Sequence, residues 1–251
     1  MTDGGWLVEH VHGSPAELHA LGQAWGGRLI RWCDADRPGL VLGSAHPAAH
    51  LDASAAAAAG LQVVRRHSGG SAVVVGPGRV VWADVVLPRD DPLWADDIGV
   101  APLWLGRVWA AALVRLGVAP PGATPVVHEG AMVRGPWSAL VCFAGLGPGE
   151  VSVGGRKVVG ISQRRTRAGA LFQVAVLLTW DPVEAVAGLQ VDATAGGQHG
   201  GQDGGQAGGR DAAVAGIADV AVGLDQLVGA QLDAPGVVED AFLAALAVAV
   251  V

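Results

Sequence analysis

The chain is expected to adopt an α+β fold, with strands grouped beside a few longer helices rather than alternating strictly with them. Three observations point there. Branched apolar runs bounded by turn residues recur at residues 28–33, 61–66, 71–75, 79–87 and 171–178, as strands require. Helical patterning is confined to a few stretches, the clearest at residues 103–116. An apolar content of 51% over 251 residues supplies the core of one large domain, or of one domain with a small appendage.

Taken in order, residues 16–26 read as a helix and residues 28–33 as a strand. Pro38 and Gly39 turn the chain into a short buried strand at residues 40–43. Residues 52–59 form an Ala-rich helix candidate, with Asp52 and Ser54 as possible caps and Gly60 as its stop. The strand candidates at 61–66 and 71–75 are interrupted by His67-Ser68-Gly69-Gly70. The helix at 103–116 carries an apolar face and stops at Gly117. Short strands are expected at 140–143, 151–153 and 157–162, a short helix at 182–189, and two C-terminal helices joined around residues 233–236. The run Gly-Gly-Gln repeated between residues 196 and 206 cannot bury enough surface to offset its ordering entropy. The expected organisation is therefore a main domain over residues 1–192, a Gly/Gln-rich flexible loop over 193–213, and a C-terminal helical segment over 214–251 that completes the domain.

A net charge of −7 argues against general nucleic-acid or anionic-membrane binding. No basic start followed by an apolar run opens the chain, and the apolar stretch at 242–251 is too short to span a bilayer. With two cysteines, Cys33 and Cys142, there is no disulfide framework; the expectation is a cytoplasmic protein. No Cys-x-x-Cys or His-Glu-x-x-His spacing indicates a metal.

Of sixteen basic side chains, fifteen are Arg; the sole lysine is Lys157. A compact ammonium places a point charge on a carbonyl or phosphate oxygen in a way the rigid guanidinium fork does not. Lys157 sits in a strand-like run between Gly155 and Gly160, followed by Gln163 and an Arg pair that can fix an anion or simply form a solvated edge. Upstream, Arg65 and Arg66 lead into Ser68-Gly69-Gly70-Ser71. That loop is either an ordinary tight turn or a close-approach site that aims backbone N–H groups at a ligand. Fifteen residues before Lys157 lies Cys142, with a Gly/Pro-rich turn between them. It reads as a small buried hydrophobe or as a nucleophile whose thiol is acidified by a nearby ammonium. His128 and Glu129 are candidate bases.

These segments, in this order, resemble the biotin/lipoate A/B protein ligase catalytic-domain family, and within it lipoate–protein ligases and cysteine-dependent octanoyltransferases. Its Arg-Arg-x-x-Gly-Gly-Gly-x-Val segment is matched from Arg65 to Val73, with Ser71 in place of the third glycine. Its Gly-Arg-Lys-x-x-Gly-x-x-Gln element is matched by Gly155, Arg156, Lys157, Gly160 and Gln163. Arg31-Trp32 and Leu40 to Gly43 resemble the family's first strands, so the likeness spans about residues 25–185. It implies mixed sheets packed with helices. It also implies that Arg65, Arg66, Ser68, Gly69, Gly70, Ser71, Gly155, Gly160 and Gln163 bind substrate, with Cys142 and Lys157 catalytic.

The implied activity is attachment of an octanoyl or lipoyl group to a lysine of a lipoyl carrier domain. A Cys142 thioester carries the group and Lys157 stabilises the acyl carbonyl. The donor is then acyl-carrier protein, and no cofactor is needed. An ATP-dependent ligase would instead take free lipoate or octanoate with ATP and Mg, Lys157 neutralising the acyl-adenylate. A non-catalytic acyl- or lipoyl-binding module is a third reading. The chain departs from the family at Ser71, at Val174-Ala175 where many relatives have His-Gly, and at Gly76 to Arg79.

Overall fold

The computed structural model describes residues 2–3, 5–22, 26–118, 123–191, 206–228 and 235–249. Its elements are β1 (Thr2–Asp3), β2 (Trp6–Gly13), α1 (Pro15–Ala20), β3 (Arg28–Ala35), β4 (Gly39–Leu42), α2 (Ala53–Ala58), β5 (Gln62–Arg65), β6 (Val73–Val75), β7 (Val80–Pro88) and α3 (Leu103–Arg115). After these come β8 (Pro125–Val127), β9 (Val133–Arg134), β10 (Gly145–Leu146), β11 (Val151–Val153), β12 (Arg156–Arg165), β13 (Gly169–Leu177), α4 (Pro182–Ala185), α5 (Gln206–Ile217), α6 (Leu224–Val228) and α7 (Pro235–Ala249).

Eight strands form one sheet in the order β1-β2-β3-β7-β13-β12-β11-β8. Every pairing in it is antiparallel except β2 with β3. A three-stranded sheet, β5-β4-β6, faces it. The two sides of the large sheet are chemically different because strand side chains alternate. Ile30, Ala83, Val85, Phe172, Val174 and Val176 point into the main core under α3 and α7. The intervening positions carry Arg31, Asp84 and Gln173, with Trp82 and Ala175 beside them. The candidate site lies on that second side.

Several expectations hold with their reasons visible. Asp52 caps α2, accepting the Ala55 N–H at 2.9 Å, and α3 runs out at Leu116 before Gly117 (φ +81°). Others shift. The helix expected over 16–26 is only Pro15–Ala20; Ser14 and Glu17 form a reciprocal capping box, and Leu21 is already extended. The strand expected at 140–143 is a docked turn, with a 3₁₀ helix at Cys142–Ala144. The Trp137 carbonyl takes the N–H groups of Leu140 and Val141, so an apolar run that mimics a strand is a buried turn. The helix expected over 182–189 spans only Pro182–Ala185.

The Gly/Gln-rich segment lies outside the described residues up to 205. From Gln206 the chain is helical, so α5 begins inside the stretch expected to be a loop. Arg210 anchors it by donating to the Val186 carbonyl at 2.9 Å, and Ala213 and Ile217 are buried. Among the described residues no helix is long and apolar enough to cross a membrane.

With no Tyr and three Phe, the main core is filled by indoles. Phe242 on α7 lies 4.4 Å from Trp109 on α3 and 5.6 Å, edge-on, from Trp32 on β3. Truncating a large aromatic costs its transfer energy and leaves a cavity. Phe242→Ala should therefore lose about 3–5 kcal/mol, read as a lower urea midpoint with an unchanged slope; a loss below ~1 kcal/mol would mean that α7 is not part of the core.

Candidate active site

Lys157 lies near the start of β12 and is 2% exposed. Its Nζ forms an ion pair with Glu150 at 2.6 Å and donates to the carbonyls of Cys142 and Gly145, both at 3.0 Å. The Phe143 ring stands 5.0 Å away. An ammonium has three N–H donors, and all are committed. Lys157 is thus held against the turn that carries Cys142 by Glu150 and two carbonyls. Glu150 is equally committed: Oε1 accepts from Ile161 N at 3.1 Å, and Oε2 from Gly147 N at 2.6 Å. Glu150 was not singled out from sequence. The available signal was the lone Lys inside an apolar strand, which needs a counter-charge once buried.

The cation beside the Cys142 thiol is Arg66. Both flank Gly70 (φ +97°), where an added Cβ would fall 2.6 Å from Arg66 Nη2 and 3.7 Å from Cys142 Sγ. Burial pushes the Arg66 guanidinium down. Arg66 donates from Nε and Nη2 to the Gly69 carbonyl, from Nη2 to Ser71 and from Nη1 to Val41. Four of its five N–H groups so hold the Gly-rich loop and β4, leaving one. The other cysteine, Cys33, is a contrast: burial, aided by Asp84, pushes its thiol far up, as for an inert core residue.

Cys142 opens on a cleft between the two sheets, lined by Val41, Val73, Val75, Trp82, Phe143 and Ala175 among others. Along one side runs a hydrogen-bonded row. Ser68 Oγ lies 2.9 Å from Ser162 Oγ and donates to Gln173 Oε1 at 2.6 Å. Gln173 Nε2 donates to Asp84 Oδ1 at 3.2 Å, and Trp82 Nε1 donates to the same oxygen at 2.9 Å. His19 Nδ1 lies 3.3 Å from Gln173 Nε2. Burial raises the Asp84 carboxyl and lowers His19 to about 4. His19, Trp82, Ser162 and Gln173 line the cleft and escaped the sequence reading, since nothing short-range marks residues on four separate elements as neighbours.

The remaining expected residues divide. Gly160 lines the cleft, and an added Cβ would sit 3.2 Å from Phe143 Cζ. Ser68 is buried beside it, and Gly69 and Gly70 form the loop. Ser71 does not face the cleft: its hydroxyl donates to the Ser138 carbonyl. Three residues are brought elsewhere. Arg65 is turned to the opposite side of its strand and donates to the Gly43 and His46 carbonyls, each at 2.8 Å. Gly155, with Gly154, makes the tight β11–β12 turn (φ +57° and +78°). Gln163 donates to the Ile98 carbonyl at 2.7 Å. His128 is half-buried and Glu129 exposed; they are bonded to the Ala131 carbonyl and to Arg107, and neither lines the cleft.

A family-level comparison matches residues 26–220 to the lipoyl protein ligase A/B catalytic domain. The chain belongs to this family. Among solved structures it is similar to the bi-partite lipoate protein ligase of Thermoplasma acidophilum, studied with its E2 lipoyl domain, at 17% identity and a TM-score of 0.67, covering 96% of this chain and 82% of that one. The T. acidophilum protein Ta0514 with bound lipoic acid gives 17% identity and a TM-score of 0.66, covering 99% and 86%. A lipoate-protein ligase A bound with ATP gives 17% and 0.63, covering 99% and 85%. At such identities these likenesses speak to the fold. A search of curated proteins returns no match.

Two measurements check this description of the lipoate-ligase-family site. Removing one partner of a buried ion pair leaves the other charge unpaired, so Glu150→Gln should cost about 3–5 kcal/mol. The double variant Glu150→Gln/Lys157→Met should lose less than the two single losses summed; additive losses in urea titrations would mean the pair is not coupled. Separately, His19 and His46 are both held at about 4 by burial, below their unfolded value near 6.5. The unfolded chain therefore binds protons that the folded chain refuses, and stability should fall as pH drops from about 6.5 to about 4. His46→Leu should flatten that slope, because neither ring nitrogen of His46 has a partner to lose; an unchanged slope would assign it to other groups.

Proposed function

We propose that the protein is an acyltransferase that moves an octanoyl or lipoyl group through a Cys142 thioester onto a lysine of a lipoyl carrier domain. The observation that carries this is the pairing of an accessible thiol with a buried guanidinium at one end of an apolar cleft. Arg66 brings a fixed positive charge and a spare donor to the thiol's end of the cleft, while the cleft walls suit a hydrocarbon chain.

In the first half-reaction the Cys142 thiolate attacks the thioester carbonyl of an acylated carrier protein. The new Cys142–acyl bond forms, the bond to the carrier sulfur breaks, and the carrier thiolate leaves to take a proton. The fifth Arg66 N–H is the donor available to the developing oxyanion. In the second half-reaction a neutral lysine amine attacks, the amide forms, the amine proton is released, and Cys142 leaves as thiolate. The sum is thioester plus amine giving amide plus thiol, with no ATP. Lys157 acts here as a positioning residue: it grips the Cys142 carbonyl and so fixes the turn that carries the thiol.

The ATP-dependent reading asks more of the site. Lys157 would have to leave Glu150 to meet an adenylate, with ATP supplying the activation and Mg screening its phosphates. The likeness to a ligase bound with ATP keeps that route as an explicit arm of the test.

The test is intact mass spectrometry after mixing with octanoyl-acyl-carrier protein in the absence of ATP. One octanoyl adduct is expected, released by hydroxylamine and absent in Cys142→Ser, with formation slowed about 100-fold or more in Arg66→Gln. No adduct without ATP, but amide formation with ATP and lipoate, would replace the transferase by the ligase. Reversible lipoate or octanoate binding with no product in either assay would leave a binding module.

A further inference from the structure

Gly160, Ala175 and Trp82 form one row across three adjacent strands: Gly160 pairs with Ala175, and Ala175 with Trp82. The row reads small, small, large. Its two ends are covered differently. Cys142, Phe143 and Val73 pack together with Ala175, whereas Val41 and Val75 pack with Trp82. A chain attached at Cys142 therefore starts at the Gly160–Ala175 end of the row and runs toward Trp82.

Trp82 is firmly held. Its Nε1 donates to buried Asp84 at 2.9 Å, and the His19 ring lies against it, tilted by 34°, at 4.4 Å. A second pocket, bounded by Cys33, Asp34, the Gly76–Gly78 turn and Glu239 on α7, lies near the same end of β7. Among the described residues, Trp82 is the one residue that borders both the cleft and this pocket.

We propose that Trp82 is the end wall of the acyl cleft and the residue that limits acyl-chain length. The inference rests on the acyl-cleft reading of the Cys142 site, and deepens it by naming the determinant of chain length. The dimensions agree. Two strand spacings separate Gly160 from Trp82, about 10 Å. An extended hydrocarbon advances roughly 1.25 Å per bond when bond lengths near 1.5 Å are projected on its axis. The wall thus stands at about eight bonds, the reach of a medium chain.

The experiment pairs binding with labelling, so that failure of the wall and failure of transfer are separable. Hexanoate, octanoate, decanoate and dodecanoate are titrated calorimetrically into wild type, Trp82→Phe and Trp82→Val. The matching acyl-acyl-carrier proteins are followed as mass adducts. Wild-type affinity should stop rising at eight carbons. In Trp82→Val the preference for decanoate over octanoate should rise about tenfold or more, since each newly buried methylene is worth about fourfold. Trp82→Phe keeps an aromatic wall and should shift the preference less, which guards against a Val variant that fails to fold.

An identical chain-length profile in wild type and the folded variants overturns the wall, whether or not Cys142 is labelled. A shifted binding profile with no Cys142 adduct leaves the wall standing and removes the transferase. No binding of any acid and no adduct overturns both.

Discussion

Much of this site depends on one buried ion pair. Lys157 and Glu150 meet at 2.6 Å where water does not reach, and such a pair repays its desolvation only if the leftover donors and acceptors are satisfied. Here they are, by the carbonyls of Cys142 and Gly145 on one side and the N–H groups of Gly147 and Ile161 on the other. One interaction therefore ties together a turn, a loop and a strand. The path of the chain from Cys142 to Glu150 is set by where the ammonium needs its oxygens.

The two buried cations divide the work according to their shapes. The Lys157 ammonium gathers converging acceptors around a point. The Arg66 fork instead reaches three carbonyls spread along a loop and a neighbouring strand, which a single nitrogen could not span. Close approach makes the loop possible: a Cβ on Gly43 would lie 1.7 Å from the Gly70 carbonyl oxygen. Thus β4 and the Gly-rich loop are wedged at van der Waals limits, and Arg66 supplies the polar contacts across the join.

The sequence made the architecture and the outline of the site legible because both rest on local signals. Branched runs marked the long strands, Asp52 and Gly117 marked helix ends, and the spacing of Arg66, Gly70, Cys142 and Lys157 carried the family resemblance. Errors arose where an outcome depends on a distant partner. The apolar run at 140–143 docks as a turn because Ala72 exchanges hydrogen bonds with Leu140 and Cys142. Arg65 and Arg66 are adjacent, yet strand alternation sends only the second inward. Lys157 meets Glu150, seven residues before it, and no motif marks that carboxylate as its partner. Pairings across an eight-stranded sheet, such as Ser162 with Gln173 and Gln173 with Asp84, have no short-range signature at all.

The main chain of Lys157 is held as firmly as its side chain. On one flank it pairs with Ser152 of β11; on the other, the ladder of β13 with β12 begins only at Val159, and the open edge is filled by the Val220 carbonyl and the Val222 N–H at 2.9 and 3.0 Å. During synthesis from the N-terminus, β12 therefore emerges well before the segment that closes this edge. Until residue 222 has left the ribosome, a nascent chain displays an unpaired strand edge at the lysine that anchors the thiol-bearing turn. That interval exposes the chain to edge-to-edge association, so slow translation across residues 158–222 is a folding hazard built into the order of the elements.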